Sequence, residues 1–135
     1  MTIDLPPPIA AAIILHARAD APHECVGLLF GTVTDDRYRA TRRVPLPNAA
    51  PDPKRHYLAE PEALLSALKH ADAQGDDLVA IYHSHPGGVP QPSDTDRADA
   101  RYDVPYLITV PESGETRGFW LRGEVRPVEV VLAAL

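Results

Sequence analysis

One cysteine, Cys25, is all that this 135-residue chain offers for cross-linking, so an internal disulfide is excluded and a reducing cytoplasm is the natural setting. Positive charge is scarce as well. Thirteen Lys and Arg stand against nineteen Asp and Glu, a formal net charge of −6. That balance argues against a nucleic-acid partner, because such binders meet phosphates with clustered cations. The one basic cluster is Arg37, Arg39, Arg42 and Arg43. Strict strand alternation puts Arg37, Arg39 and Arg43 on one face and Arg42 on the other, the pattern of a solvated outer strand. No apolar run approaches the ~20 residues that span a bilayer. The opening MTIDLPPPIAAAIILHARAD lacks the basic start and small-residue cleavage site of a signal peptide. Neither a membrane partner nor export is therefore expected. Internal repeats and low-complexity tails are also missing.

What is present is ordinary globular composition, 44% hydrophobic and 24% charged, at a length that predicts one domain over residues 1–135. The pattern alternates helix and strand. Ile9 to about Arg18 follows three prolines and reads as a buried helix starting near Pro7 or Pro8. Glu24 to Gly31 (ECVGLLFG) is apolar on both alternating faces, as in a central strand covered on both sides. Thr34-Asp35-Asp36 is a turn leading to an antiparallel strand, Tyr38 to Val44, which Pro45 and Pro47 end. Pro45 to Arg55, with four prolines, is a surface loop of a length that often carries function. A helix over Pro61 to Ala73 places Leu64, Leu65 and Leu68 on one face and stops at Gly75. Strands follow at Leu78 to Tyr82 and Tyr106 to Val110, with a polar helix from Ser93 to about Arg101 between them. Thr116 to Arg122 and Val125 to Leu132 form a hairpin turning at Arg122-Gly123-Glu124.

Chemistry concentrates in one place. HSHPGGVPQPSDTD, residues 83 to 96, holds two histidines, two aspartates, two glycines and three prolines. His83 and His85 leave a strand at spacing i, i+2, which turns both imidazoles to one side. The Pro/Gly connector re-aims the chain, and Ser93-Asp-Thr-Asp96 has the pattern of a helix N-terminus, so Asp96 points near the histidines. Each piece alone has a plain explanation: strand-end histidines are commonly solvated, and a Ser-x-x-Asp start is worth about 1 kcal/mol as a cap. Capping, however, explains neither the paired histidines nor the connector. Two neutral imidazoles and one carboxylate, with a fourth position left to water, make the ligand set of a catalytic zinc site, and zinc lowers the pKa of such water to roughly 7. That combination points to a hydrolase.

The run His83-Ser84-His85, seven residues, Ser93, two residues, Asp96 resembles the His-(Ser/Thr)-His-x7-Ser-x2-Asp signature of the JAMM, or MPN-plus, zinc metallopeptidases, in particular the short bacterial stand-alone type. The segment Pro22 to Gly31 (PHECVGLLFG) looks like the family's earlier glutamate-bearing strand. The resemblance implies an α/β fold of the α+β type, a curved, mostly antiparallel sheet flanked by helices, of the cytidine-deaminase-like JAMM/MPN kind. It implies one Zn2+ per chain, held by His83, His85 and Asp96 with water as fourth ligand. It makes Glu24 the general base that later delivers the proton to the leaving amine, and Ser93 the donor to the oxyanion. Family members hydrolyse the amide bond after the C-terminal Gly-Gly of ubiquitin-like proteins, and the short bacterial members are associated with β-grasp sulfur carriers, which makes such a carrier the expected partner. An extended Gly-Gly tail suits a groove beside the metal, for which the Asn48 to Tyr57 loop is the candidate wall.

Two other functions stay open: a non-catalytic MPN-type interaction module, and a zinc hydrolase of small peptides or amides. Cys25 offers a rival nucleophile, but neighbouring strand residues face opposite ways, so Glu24 and Cys25 are not expected to share a site, and a buried inert thiol is the better reading. Ser84, opposite in facing to the histidines, takes a structural role. His16, His23, His56 and His70 lack ligand spacing and read as surface or helix residues.

Overall fold

The computed structural model describes residues 1–132. Seven strands and three helices run β1 (Thr2–Asp4), α1 (Pro7–Asp20), β2 (Val26–Thr34), β3 (Arg37–Leu46), α2 (Pro61–Gln74), β4 (Asp77–Ser84), α3 (Asp94–Asp99), β5 (Tyr106–Thr109), β6 (Thr116–Trp120) and β7 (Arg126–Val131). The strand order is β1-β3-β2-β4-β5-β6-β7, and β1 also pairs with β7, which closes the sheet into a barrel. Pairings along the central chain of strands are antiparallel except β4 with β5, while β1 runs parallel to both neighbours. The sheet is thus curved and helix-flanked as expected.

Local sequence accounts for the elements. Pro7 and Pro8 occupy the first turn of α1, where a missing N–H costs nothing. At α2 the Glu60 carboxylate accepts from the Glu62 and Ala63 amides, and Gly75 ends the helix in the left-handed region at φ 76°. β2 alternates between two cores. Leu29 joins Ile3, Ile13, Ala17 and Tyr82 beneath α1, whereas Leu28 and Phe30 join Ile81, Tyr106 and Ala71 beneath α2. This two-sided burial is what the unbroken apolar run of β2 encodes.

Three features depart from the sequence-based expectation. β1 was not anticipated, because three residues ahead of a proline carry no periodicity. β4 continues through His83 and Ser84, so His83 lies inside the strand and His85 follows its end. Third, the β2–β3 register skips Thr41. Gly31 sits at that bulge because a Cβ there would collide with the Arg39 carbonyl. The bulge corrects the alternation expected of the arginines. Arg43 joins Tyr38 and Ala40 on the α1 side, where its Nη1 donates to the Tyr82 hydroxyl at 3.0 Å. Arg42 stacks over the Phe30 ring at 4.8 Å. Arg37 and Arg39 instead converge on the buried Asp4 carboxylate, at 2.7 and 3.5 Å.

Candidate active site

The ends of β2 and β4 set the site. Antiparallel pairing puts Val26 opposite His83. Glu24, two residues before Val26, therefore lies across from the end of β4 where His85 stands. Val26 and Ile81 both pack under α2, and alternation turns Glu24 and His83 to that same side. β5 runs parallel to β4, so the chain must cross over between them, and the crossover carries α3. Ser93 caps α3 by accepting from the Asp96 amide at 3.1 Å, and Asp96 Oδ2 accepts in return from the Ser93 amide at 2.9 Å. This reciprocal box fixes the Asp96 carboxylate with one oxygen aimed at the histidines.

Three atoms converge. His83 Nε2 and His85 Nε2 are 3.1 Å apart, and Asp96 Oδ2 lies 3.2 Å from the first and 3.0 Å from the second. Ligands at zinc–nitrogen and zinc–oxygen lengths in a tetrahedron are separated by about 3.3 Å, so this triangle is nearly one face of such a shell. The His85 tautomer supports the fit. Its Nδ1–H donates to the Val89 carbonyl at 2.9 Å, which leaves the Nε2 lone pair turned toward the cluster. A carboxylate oxygen of Glu24 and a ring nitrogen from each histidine lie within 4.8 Å of one another. Both acids thus border one space, Asp96 in direct contact with the imidazoles. Two atoms in this buried group have no hydrogen-bond partner, Glu24 Oε1 and His83 Nδ1. A buried carboxylate oxygen without a donor costs roughly 1–3 kcal/mol or more, an expense that a cation or a polarised water in the cluster offsets.

Burial and charge divide the titrations. Burial pushes the Glu24 carboxyl up to about 7, against the pull of His85 and with the repulsion of Asp96. For Asp96 burial acts the same way, but the two imidazoles set against its Oδ2 and the hydrogen bond from the Ser93 amide outweigh it and hold the carboxyl well below the usual range. Burial lowers His83, which keeps it neutral as a ligand must be. One carboxyl near neutrality beside one firmly ionised is the division of labour expected of a base and a ligand.

The sequence profile described as prokaryotic homologs of the JAB domain matches residues 6–123. The chain belongs to that family. A probable TtuB-protein conjugate cleaving protease from Thermus thermophilus is 48% identical over 93 residues, which is 69% of this chain and 60% of that protein's own length. The desampylase of Haloferax volcanii is 36% identical over 126 residues, covering 90% of this chain and 89% of its own. In solution structure, a Desulfitobacterium hafniense protein superposes with a TM-score of 0.89 at 27% identity, over 99% of this chain and 94% of its own.

Residues outside the motif complete the picture of this JAB domain. Cys25 faces the α1 core, fully buried, and burial pushes its thiol up to about 11, which suppresses the thiolate a nucleophile needs. Ser84 Oγ accepts from the Cys25 amide at 2.8 Å, tying β4 to the start of β2. His23, His56 and His70 are exposed. His16 is a residue of helix α1, as expected, and is half-buried there, its Nδ1 2.6 Å from the Tyr82 hydroxyl and its Nε2 3.3 Å from Asp20. Two residues near the site carried no motif signal. Tyr57 stacks on the His83 ring, centroids 4.3 Å apart and planes 23° from parallel. Asn48 bonds through its side chain to Glu24 O, His56 O, Ala50 N and Leu58 N. The Asn48 to Tyr57 loop is thereby folded back onto Glu24, whose N–H donates to Pro53 O at 2.7 Å. An isolated Asn and a Tyr in a proline-rich loop were the available hints.

Proposed function

We propose that the chain is a zinc-dependent isopeptidase that hydrolyses the amide bond after the C-terminal Gly-Gly of a ubiquitin-like or β-grasp sulfur-carrier protein, acting in the cytoplasm. The observation that carries the reading is the convergence of His83 Nε2, His85 Nε2 and Asp96 Oδ2 at 3.0 to 3.2 Å with the Glu24 carboxylate beside them. The names borne by the relatives, a conjugate-cleaving protease and a desampylase, support the substrate class.

In this reading His83, His85 and Asp96 hold the metal. Bound there, zinc supplies Lewis acidity and brings the pKa of water toward roughly 7. Glu24 takes a proton from the attacking water as the oxygen–carbon bond forms, then hands it to the nitrogen as the carbon–nitrogen bond breaks, leaving a carboxylate and a free amine. A carboxyl buried to a pKa of about 7 is suited to both halves of that transfer. Ser93 Oγ accepts from the Asp96 amide, which leaves its hydroxyl proton free to donate to the oxyanion. Capping and catalysis use different halves of one hydroxyl. Tyr57 covers His83 and restricts water there, and the Asn48 to Tyr57 loop forms one wall of the groove for the extended tail.

The test is incubation with a sulfur carrier extended past its Gly-Gly end. Release of the extension, abolished by a chelator and by Glu24→Gln, is the expected result. Metal bound without cleavage of the carrier fusion or of any small Gly-Gly amide would favour a non-catalytic module, and cleavage of small amides alone a peptidase without a protein substrate.

A further inference from the structure

A charged hollow of about 510 Å³, open to solvent, lies between Pro22, Lys54, Arg55, Pro86, Gly87 and Glu112. Its walls are chain neighbours of the site. Pro86 and Gly87 directly follow His85, Pro22 stands two residues before Glu24, and Lys54 follows Pro53, whose carbonyl accepts from the Glu24 amide at 2.7 Å. The basic wall is held in a fixed turn. Arg55 N–H and His56 N–H both donate to Asp52 O, and the Asn48 side chain ties the segment back at His56 and Leu58. The acidic wall is already engaged, since Glu112 Oε1 accepts from the Gly87 amide at 3.0 Å and so fixes the turn after His85. Lys54 and Arg55 are exposed, and Asp52 stands 4.0 Å from Arg55, at the limit of an ion pair. Both cations are left to face an incoming group.

The chemistry of the departing side restricts what that group is. In the isopeptidase reading Glu24 hands its proton to the departing nitrogen, so the residue that owns this nitrogen starts beside Glu24, on the side the hollow borders. The Gly-Gly ahead of the bond is neutral and has no side chain for charged walls to grip. A residue joined through its α-nitrogen carries its carboxyl carbon about 2.5 Å from that nitrogen, close enough for the long arms of Lys54 and Arg55 to meet it. Two cations against one bonded acid make a positive wall on a chain of net charge −6, and such a wall selects a negative group. A carboxylate is the negative group that a leaving residue brings, at its chain end or on its side chain.

We infer that the hollow is a leaving-side subsite in which Lys54 and Arg55 receive a carboxylate of the residue released after the Gly-Gly. The inference rests on the isopeptidase reading for which side of the bond faces Glu24.

Peptides of one Gly-Gly tail extended by a single residue test it, in three forms: alanine with a free carboxylate, alanine carboxamide and aspartate carboxamide. Their binding to zinc-loaded Glu24→Gln protein, which leaves them uncut, is followed by fluorescence anisotropy. At least one of the two acids should bind about tenfold tighter than alanine carboxamide, the worth of one charge-assisted hydrogen bond, and the advantage should shrink as salt is raised. Which acid gains tells whether the chain end or the side chain supplies the carboxylate. Lys54→Gln combined with Arg55→Gln, at two exposed positions, should bring the ratio near one. Equal affinity for charged and uncharged forms, or a preference that survives the double substitution in folded protein, overturns the subsite. The two readings fail separately. Cleavage of carrier fusions by the wild type with no carboxylate preference in binding sinks the subsite alone, and a preference in a protein that cleaves no Gly-Gly amide sinks the isopeptidase alone.

Discussion

The two faces of the sheet treat their buried polar groups in opposite ways. Under α1, the Tyr82 hydroxyl is bonded to both His16 and Arg43, and His16 continues to Asp20. A Cβ at Gly27 would collide with the Tyr82 ring, so the glycine exists to seat it. Under α2, one residue further along β4, His83 keeps an unpartnered Nδ1 and Glu24 an unpartnered Oε1. Polar groups that satisfy one another hold a fold together, and polar groups left wanting a partner mark where a ligand and chemistry enter.

Breaking the α2 side should cost activity, and breaking the α1 side should cost stability. The largest effect expected is that of Glu24→Gln, which removes the proposed base while keeping its shape: turnover of a carrier fusion should fall by about 10²- to 10⁴-fold, with the thermal midpoint unchanged or raised. His85→Ala should follow. Under the proposed function, opening the triangle should lower the metal retained after purification, read by elemental analysis, with activity falling alongside metal content.

The next effect is on pH dependence. Glu24 moves from 4.5 to about 7 on folding, so the folded metal-free protein holds the proton more tightly than the unfolded chain. The stability this confers is present at acid pH and is lost as pH rises through about 7. Denaturant titrations of metal-free wild type should therefore lose stability relative to Glu24→Gln between pH 4.5 and 7, and a difference that is flat with pH refutes the assignment. Tyr82→Phe sharpens the contrast from the other side. It strips His16 and Arg43 of a shared partner and should cost about 1 to 3 kcal/mol in chemical unfolding, with cleavage preserved at temperatures where the variant is folded. Ser93→Ala should cost less stability than Tyr82→Phe, about 1 kcal/mol for the lost cap. In the proposed function Ser93 serves both roles, so kcat of the variant should fall by more than that cap loss explains. Ser93→Asn, which restores a cap without a hydroxyl, should recover stability and not kcat.

Legibility in the sequence followed locality. His83 and His85 stand two apart at a strand end, and Ser93 and Asp96 three apart at a helix start, so backbone periodicity alone indicates which way each points. Glu24, nearly 60 residues earlier, was readable only through its resemblance to a known motif, since nothing local distinguishes it from a surface acid. Tyr57 and Asn48 act through contacts across the loop that no short-range pattern records. The face assignment of Arg43 failed because one skipped residue at Thr41 reverses every later side chain in β3. His16 reads correctly as a helix residue, but its contact with Tyr82, 66 residues away, leaves no local signal.

Barrel closure by Thr2–Asp4 bears on handling the protein. That three-residue segment is hydrogen-bonded on both flanks, to β3 and to β7, so the described strands offer no free border for another chain to zip onto. Anything that pries it loose, such as a bulky affinity tag abutting Met1, would bare two sticky rims at once and invite aggregation, so a fusion partner belongs behind a generous spacer.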